Sequence, residues 1–206
     1  MTVIVTILAF GWTGIFLFFL LSIKVNGLAK KNEYALIHVL FILIFSSWLP
    51  IPLIFSILFA GWPAQIGALY GILSLSLFII AMALQTGHII YSNRHAHEQK
   101  KLWDNYDSWM MSMLSDPIEV IAGIFAWISA IFNAIALVHH NIGFTSIIIF
   151  LLSLQIIYCV ALLLRSVLNS PPQWINSIKP NPYILNIGLF LYFLVILIRL
   201  TIDYYL

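Results

Sequence analysis

The run from residue 117 to residue 138, PIEVIAGIFAWISAIFNAIALV, decides the fold. At 1.5 Å of rise per residue it is long enough to cross a hydrocarbon core of about 30 Å. Hydrocarbon offers no hydrogen bonds, so each backbone N–H and C=O must be satisfied within the segment. An uninterrupted apolar run of this length does that as a helix rather than as a barrel strand. Glu119, Ala122, Gly123, Ala126, Ala130 and Asn133 recur at helical spacing and give the run one small, partly polar face, the signature of close helix packing in a membrane. Its entry, Asp116-Pro117-Ile118-Glu119, matches an N-cap with Pro at N1 and Glu at N3, a capping box.

Comparable runs lie on either side. Residues 2–23 lack the basic leader of a signal peptide and outrun its apolar region, so they predict a retained first span. Residues 35–60 predict a second, with a kink or break near Trp48, because Pro50 and Pro52 remove donors and clash with preceding carbonyls. After a tight turn at Gly61-Trp62-Pro63, residues 64–92 predict span three. The run at 117–138 is span four, His139-His140-Asn141 is a short turn, and residues 145–164 and 184–204 predict spans five and six. Pro171, Pro172, Pro180 and Pro182 keep residues 165–183 from forming a continuous helix. Between spans three and four, Leu102, Trp103, Tyr106, Trp109, Met110 and Met113 share a face opposite Asp104, Asp107 and Ser108, which predicts a helix lying in the interface. The expected architecture is therefore all-α: one polytopic membrane domain over residues 1–206, a six-helix transmembrane bundle with an interfacial helix.

Composition excludes the main alternatives. The chain is 63% hydrophobic and 8% charged, with a mean hydropathy of +1.05, whereas a soluble domain is about 25% charged. Its solvent is a lipid bilayer. A net charge of +2, scattered along the chain, does not describe a nucleic-acid footprint. With Cys159 alone there is no internal disulfide and no CxxC motif. Lys24, Lys30, Lys31, Arg94, Lys100, Lys101, Arg165 and Lys179 fall on one side of a six-span arrangement and only Arg199 on the other. The positive-inside rule makes the first side cytoplasmic and places both termini on the non-cytoplasmic side.

Polar residues within the spans are the candidates for function. In span three Gly67, Gly71, Ser74, Phe78, Ala81, Gln85 and His88 form a stripe that carries Gln85 and His88 toward the bundle. Span two supplies His38 at a depth comparable to His88, and span four supplies Glu119 and Asn133. The candidate binding residues are thus His38, Gln85, His88, Glu119 and Asn133, with His95, His97, Glu98 and Asp116 above them. His38 and His88 at one depth would suit haem iron or a transition metal, although no spacing here is a ligand motif; an intramembrane Glu or His also suits proton relay.

Each candidate has a plain structural counterpart. Glu119 completes a capping box, His38 and His88 lie near enough to the interface to snorkel or bond a neighbouring helix, and the pairs His95/His97 and His139/His140 are solvated. Arg199 and Asp203, four apart, pair with each other, and Gln155 and Cys159 on span five read as interhelical contacts. No GxSxG elbow or Cys-His pairing supports an acyl-transfer enzyme, and the reading leans away from enzyme function. The sequence is most consistent with a membrane protein that transports or binds a small solute at a polar site within the bundle. A haem- or metal-binding subunit using His38 and His88, and a non-catalytic subunit or assembly factor with membrane-protein partners, are the alternatives.

Overall fold

The computed structural model describes residues 2–95, 109 and 116–205. Among them the chain is helical without strands, and six helical segments are long and apolar enough to cross a membrane. The first span is α1 (Thr2–Lys30) and the second is α2 (Tyr34–Trp48) with α3 (Ile51–Leu58). The third is α4 (Trp62–His95) and the fourth α5 (Asp116–His139). The fifth is α6 (Gly143–Ser153) with α7 (Ile156–Val167). A single turn, α8 (Gln173–Asn176), precedes the last span, α9 (Pro182–Tyr205). The interfacial helix expected over residues 102–113 lies outside the described residues except for Trp109, which is exposed.

Helix ends follow from local chemistry. α1 does not stop at residue 23, where the expected span ends, but runs on to Lys30 because nothing before Asn32 breaks it. Asn32 adopts φ 59°, and the amides of Glu33 and Asn32 bond Leu28 O and Ala29 O, each at 3.0 Å. That is a Schellman cap with Asn in the left-handed position. α5 ends the same way: Asn141 has φ 61°, Ile142 N bonds Leu137 O and Asn141 N bonds Val138 O. The short turn anticipated at 139–141 is this cap.

Two spans are interrupted inside the membrane. Span two breaks at Leu49–Pro50, near Trp48 as the prolines predict. Span five, expected to be continuous, changes pitch at Leu154–Gln155, where Leu154 N and Gln155 N bond carbonyls three residues back, Leu151 O and Leu152 O. Neither Pro nor Gly stands there. The side chain of Gln155 instead packs onto the bare backbone of Gly188 in α9, leaving no room for a Cβ.

The α4–α5 pair forms the most extensive helix interface. α2 packs on α4 and on α1, α6 and α7 pack on α5, and α9 meets α1, α3, α5 and α6. The buried core holds Trp48, Phe55, Leu75, Trp127, Leu137, Ile149 and Leu197, while Phe10, Phe16, Phe19, Ile57, Leu69, Ile147 and Ile157 face outward where lipid belongs. The connections at 31–33 and 168–181 share one face of the bundle with the ends of α4 at His95 and α5 at Asp116, here the basic face; those at 59–61 and 140–142 lie on the opposite, turn face.

Candidate functional site

The basic-face half of the bundle is hollow. A cavity of about 1290 Å³ is lined from α1, α2, α4, α5, α7 and α9 and by the strap that leads into α9. Its apolar wall is aromatic: Phe18, Phe41, Phe45 and Phe78 all line it, with ring centroids 6.2 Å apart for Phe18–Phe41, 5.7 Å for Phe41–Phe45 and 5.0 Å for Phe45–Phe78. Trp48 and Phe193, stacked at 4.6 Å, and Phe18 against Trp48 at 6.2 Å continue the cluster toward the turn face. Glycines make this plug tight. Trp48 Nε1 reaches Gly11 O at 3.3 Å, and a Cβ on Gly14 would come within 2.5 Å of the same nitrogen.

Polar groups are confined to the other walls. Gln85, fully buried on α4, donates from Nε2 to Glu119 Oε1 on α5 at 2.5 Å, and both residues line the cavity. His38 lines it from α2, its Nδ1 2.7 Å from Tyr34 O. A carbonyl only accepts, so Nδ1 carries the proton and Nε2 is an acceptor in the neutral ring. Arg165, in the last turn of α7, also lines the cavity and donates through Nη1 to Ile178 O at 2.8 Å. Tyr158 on the same helix donates to Lys179 O at 3.0 Å and accepts from Asn181 N at 2.7 Å. Two side chains of α7 thus fasten the 178–181 strap, and Pro180 and Asn181 become cavity wall.

Three of the five anticipated binding residues, His38, Gln85 and Glu119, therefore share one cavity. His88, half-buried one turn beyond Gln85, and Asn133 do not line it. Asn133 belongs to a second polar cluster nearer the turn face. Its Nδ2 donates to Tyr192 Oη at 2.7 Å, Ser129 Oγ lies 3.2 Å from the same oxygen, and Ser129 donates to Gly67 O at 2.7 Å. These bonds tie α4, α5 and α9 together in a buried, tightly packed region. Among the described residues no group of three or more His, Cys, Asp or Glu could hold a metal ion, and His95 contacts Tyr91 O at 2.9 Å. His97 and Glu98 lie outside the described residues. Arg199 and Asp203 pair as expected, Nε to Oδ2 at 2.6 Å.

Sequence reasoning missed Arg165, Asn181, Asn186 and Tyr192. The apolar run ends at Leu164, which by itself places Arg165 in a loop, whereas α7 continues through Val167. A tyrosine in mid-span was the available signal for Tyr192, whose hydroxyl needs a partner when buried.

The chain is an integral-membrane helical bundle of six spans, with a large cavity among the described residues in the half nearer its basic loops. It matches no protein-family model, no curated protein and no solved structure.

Proposed function

We propose that the protein binds a small solute in the basic-face cavity and serves its movement into or across the membrane. The observation that carries this reading is the hydrogen-bonded pair Gln85–Glu119 facing the cavity beside His38, three polar side chains on three helices around one space. Ionisable groups inside a bundle are costly, and they persist where they meet water, each other or a ligand. A site of this size with an apolar wall and few convergent polar groups has the make-up of a ligand pocket. The aromatic cluster around Trp48 continues from the cavity wall toward the turn face, which suits a binding step open to one side rather than a continuous pore. By the distribution of Lys and Arg, that side is cytoplasmic.

The test is a thermal-stability screen of the detergent-purified protein against panels of metabolites and lipids, run beside His38→Ala and Glu119→Gln. A compound that raises the Tm of the parent protein and not of the variants is the expected result. If every stabiliser acts equally on all three proteins, or if none acts, the site reading is wrong.

A further inference from the structure

We propose that the cavity takes an acid-headed amphiphile, one carboxylate or phosphate group held by the Arg165 guanidinium with its chain running inward along the aromatic wall. This rests on the binding reading above and names its ligand class. Arg165 lines the cavity, half-buried, from the last turn of α7. Among the described residues it makes a single hydrogen bond, from Nη1 to Ile178 O at 2.8 Å. A guanidinium carries five N–H donors in a planar fork that matches the oxygens of a carboxylate or phosphate, so most of its capacity is left for an acid that these residues do not supply. Asn26 on α1 and Asn186 on α9 line the same space, and their side-chain amides bond no other described residue. Each brings two more N–H donors. Glu119 is engaged by Gln85 Nε2 and takes no part in this recognition.

The apolar body follows from the way the walls are graded. On α1 the lining passes from Phe18 through Ser22 to Asn26 toward the basic face. On α2, which runs the other way, it passes from Phe45 and Phe41 through His38 to Tyr34 in the same direction. From Tyr34 to Phe45 this is about 16 Å of depth at 1.5 Å of rise per residue. Two antiparallel helices graded alike define an axis of the cavity, with polar groups gathered at its basic-face end and aromatic rings at its inner end. Arg165 in the last turn of α7 and Asn186 near the start of α9 stand at the polar end. An amphiphile lying head outward matches that axis. A charge drawn out of water is costly unless it is paired with good geometry, and one acid group on Arg165 gives that pairing. A cationic head meets the guanidinium as a like charge, and a neutral head leaves it unpaired. At the inner end Phe41, Phe45 and Phe78 are better covered by a hydrocarbon chain than by water. The volume of about 1290 Å³ has room for such a chain, exceeding the roughly 1,000 Å³ upper end of ordinary small-molecule sites.

The test uses the full chain in phosphatidylcholine nanodiscs and a lysophosphatidic acid with a photoreactive group at the end of its chain. Photolabelling should reach Phe41, Phe45 or Phe78; labels confined to outward-facing residues such as Phe19 and Leu69 overturn the cavity as the site. Competitors of the same chain length are unlabelled lysophosphatidic acid, a fatty acid, a monoacylglycerol and a primary alkylamine; glycerol phosphate supplies a head without a chain. The acids should displace the probe at least about tenfold more strongly than the neutral and cationic chains, a lower bound for pairing a desolvated charge. Displacement by both acids supports an acid head of either kind, and displacement by lysophosphatidic acid alone supports a phosphate head. Equal displacement by all the chains, or stronger displacement by the alkylamine, overturns the head recognition. Glycerol phosphate competing as strongly as lysophosphatidic acid overturns the amphiphile. Arg165→Gln should remove the advantage of the acids; should it not fold, Arg165→Lys keeps the charge, loses the fork and should reduce that advantage. An undiminished preference in the folded variant overturns the assignment to Arg165. Val25→Cys, in the cavity wall on α1 and with Cys159 fully buried, separates failure of the ligand class from failure of the binding reading. If no probe is held while a water-soluble thiol reagent labels position 25, the ligand class is wrong and the cavity stands; if position 25 is unreactive as well, both readings fail.

Discussion

Gln85 on α4 and Glu119 on α5 meet at 2.5 Å across the largest helix interface of the bundle, amide N–H to carboxyl oxygen, with Gln85 only 1% exposed. The bond joins the packing stripe of one helix to the first turn of the next. It also fixes where the carboxyl group faces the cavity. Interhelical hydrogen bonds inside membranes average about 0.6 kcal/mol and reach about 1.7, because the alternative state finds partners too. A charge-assisted bond to a buried amide belongs at the upper end.

The first expectation follows directly. Gln85→Leu and Glu119→Gln, taken singly and together through a denaturation cycle in detergent, should give a coupling energy of about 1–1.7 kcal/mol. Additive single effects would mean that the two side chains do not depend on each other.

Gly67 gives a sharper case. A Cβ on it would run into the Asn133 amide oxygen and sit 3.3 Å from Ser129 O, so Gly67→Ala must displace the group that bonds Tyr192. We expect a loss of about 1–3 kcal/mol, the range for overpacking a tight core. Gly27→Ala, where nothing lies within 4 Å, is the control and should be neutral or slightly stabilising. Equal unfolding midpoints for the two variants would show that the α4–α5 seam is looser than described.

How much of this was legible in the sequence depends on the range of the cause. The six spans were, because bilayer thickness acts on contiguous length and the runs around residues 117–138 and their counterparts meet it on their own. The break at Pro50 was too, since proline acts on its own turn. The pitch change at Leu154–Gln155 was not: it accompanies Gln155 lying on Gly188, and those residues are brought together only by tertiary packing. The site divided along the same line. Gln85 and Glu119 stood on helix faces that the small-residue stripes revealed, although the bond between them depends on the register of α4 against α5, which has no local signature. Arg165 reaches the cavity because α7 runs past the end of its apolar run, and Asn181 because Tyr158 holds the strap in place. Neither fact has a local signature.

The left-handed caps carry a prediction of their own. Asn141→Gly should leave stability within a few tenths of a kcal/mol, whereas Asn141→Val should cost about 1–2 kcal/mol, since a β-branched residue tolerates φ 61° poorly. Thermal unfolding of the two variants would separate them, and a Val variant as stable as the Gly one would contradict the cap.

Orientation is testable without any ligand. Lys31→Cys and His139→Cys sit on opposite faces at exposed positions, and Cys159 is fully buried and should stay silent. With the basic face cytoplasmic, an impermeant thiol reagent applied to intact cells should label position 139 and spare position 31. The reverse pattern would invert the topology.

The strap offers the last test, one that reads the cavity wall itself. Asn181 N–H donates to Tyr158 Oη at 2.7 Å, and the same hydroxyl donates to Lys179 O at 3.0 Å, so a single oxygen from α7 satisfies two backbone groups of the segment leading into α9. Arg165 holds Ile178 O one residue earlier. Tyr158→Phe removes only that oxygen and keeps the ring in place. The Asn181 amide should then exchange with solvent faster by about tenfold, the effect of losing a hydrogen bond of about 1–1.5 kcal/mol, while the amides of α4 and α5 keep their protection. Because Asn181 and Pro180 line the cavity, the same variant should weaken any ligand whose head reaches Arg165. Unchanged exchange at residue 181 would mean that the strap is held by its prolines and by Arg165 alone, and that Tyr158 contributes nothing to the shape of the cavity.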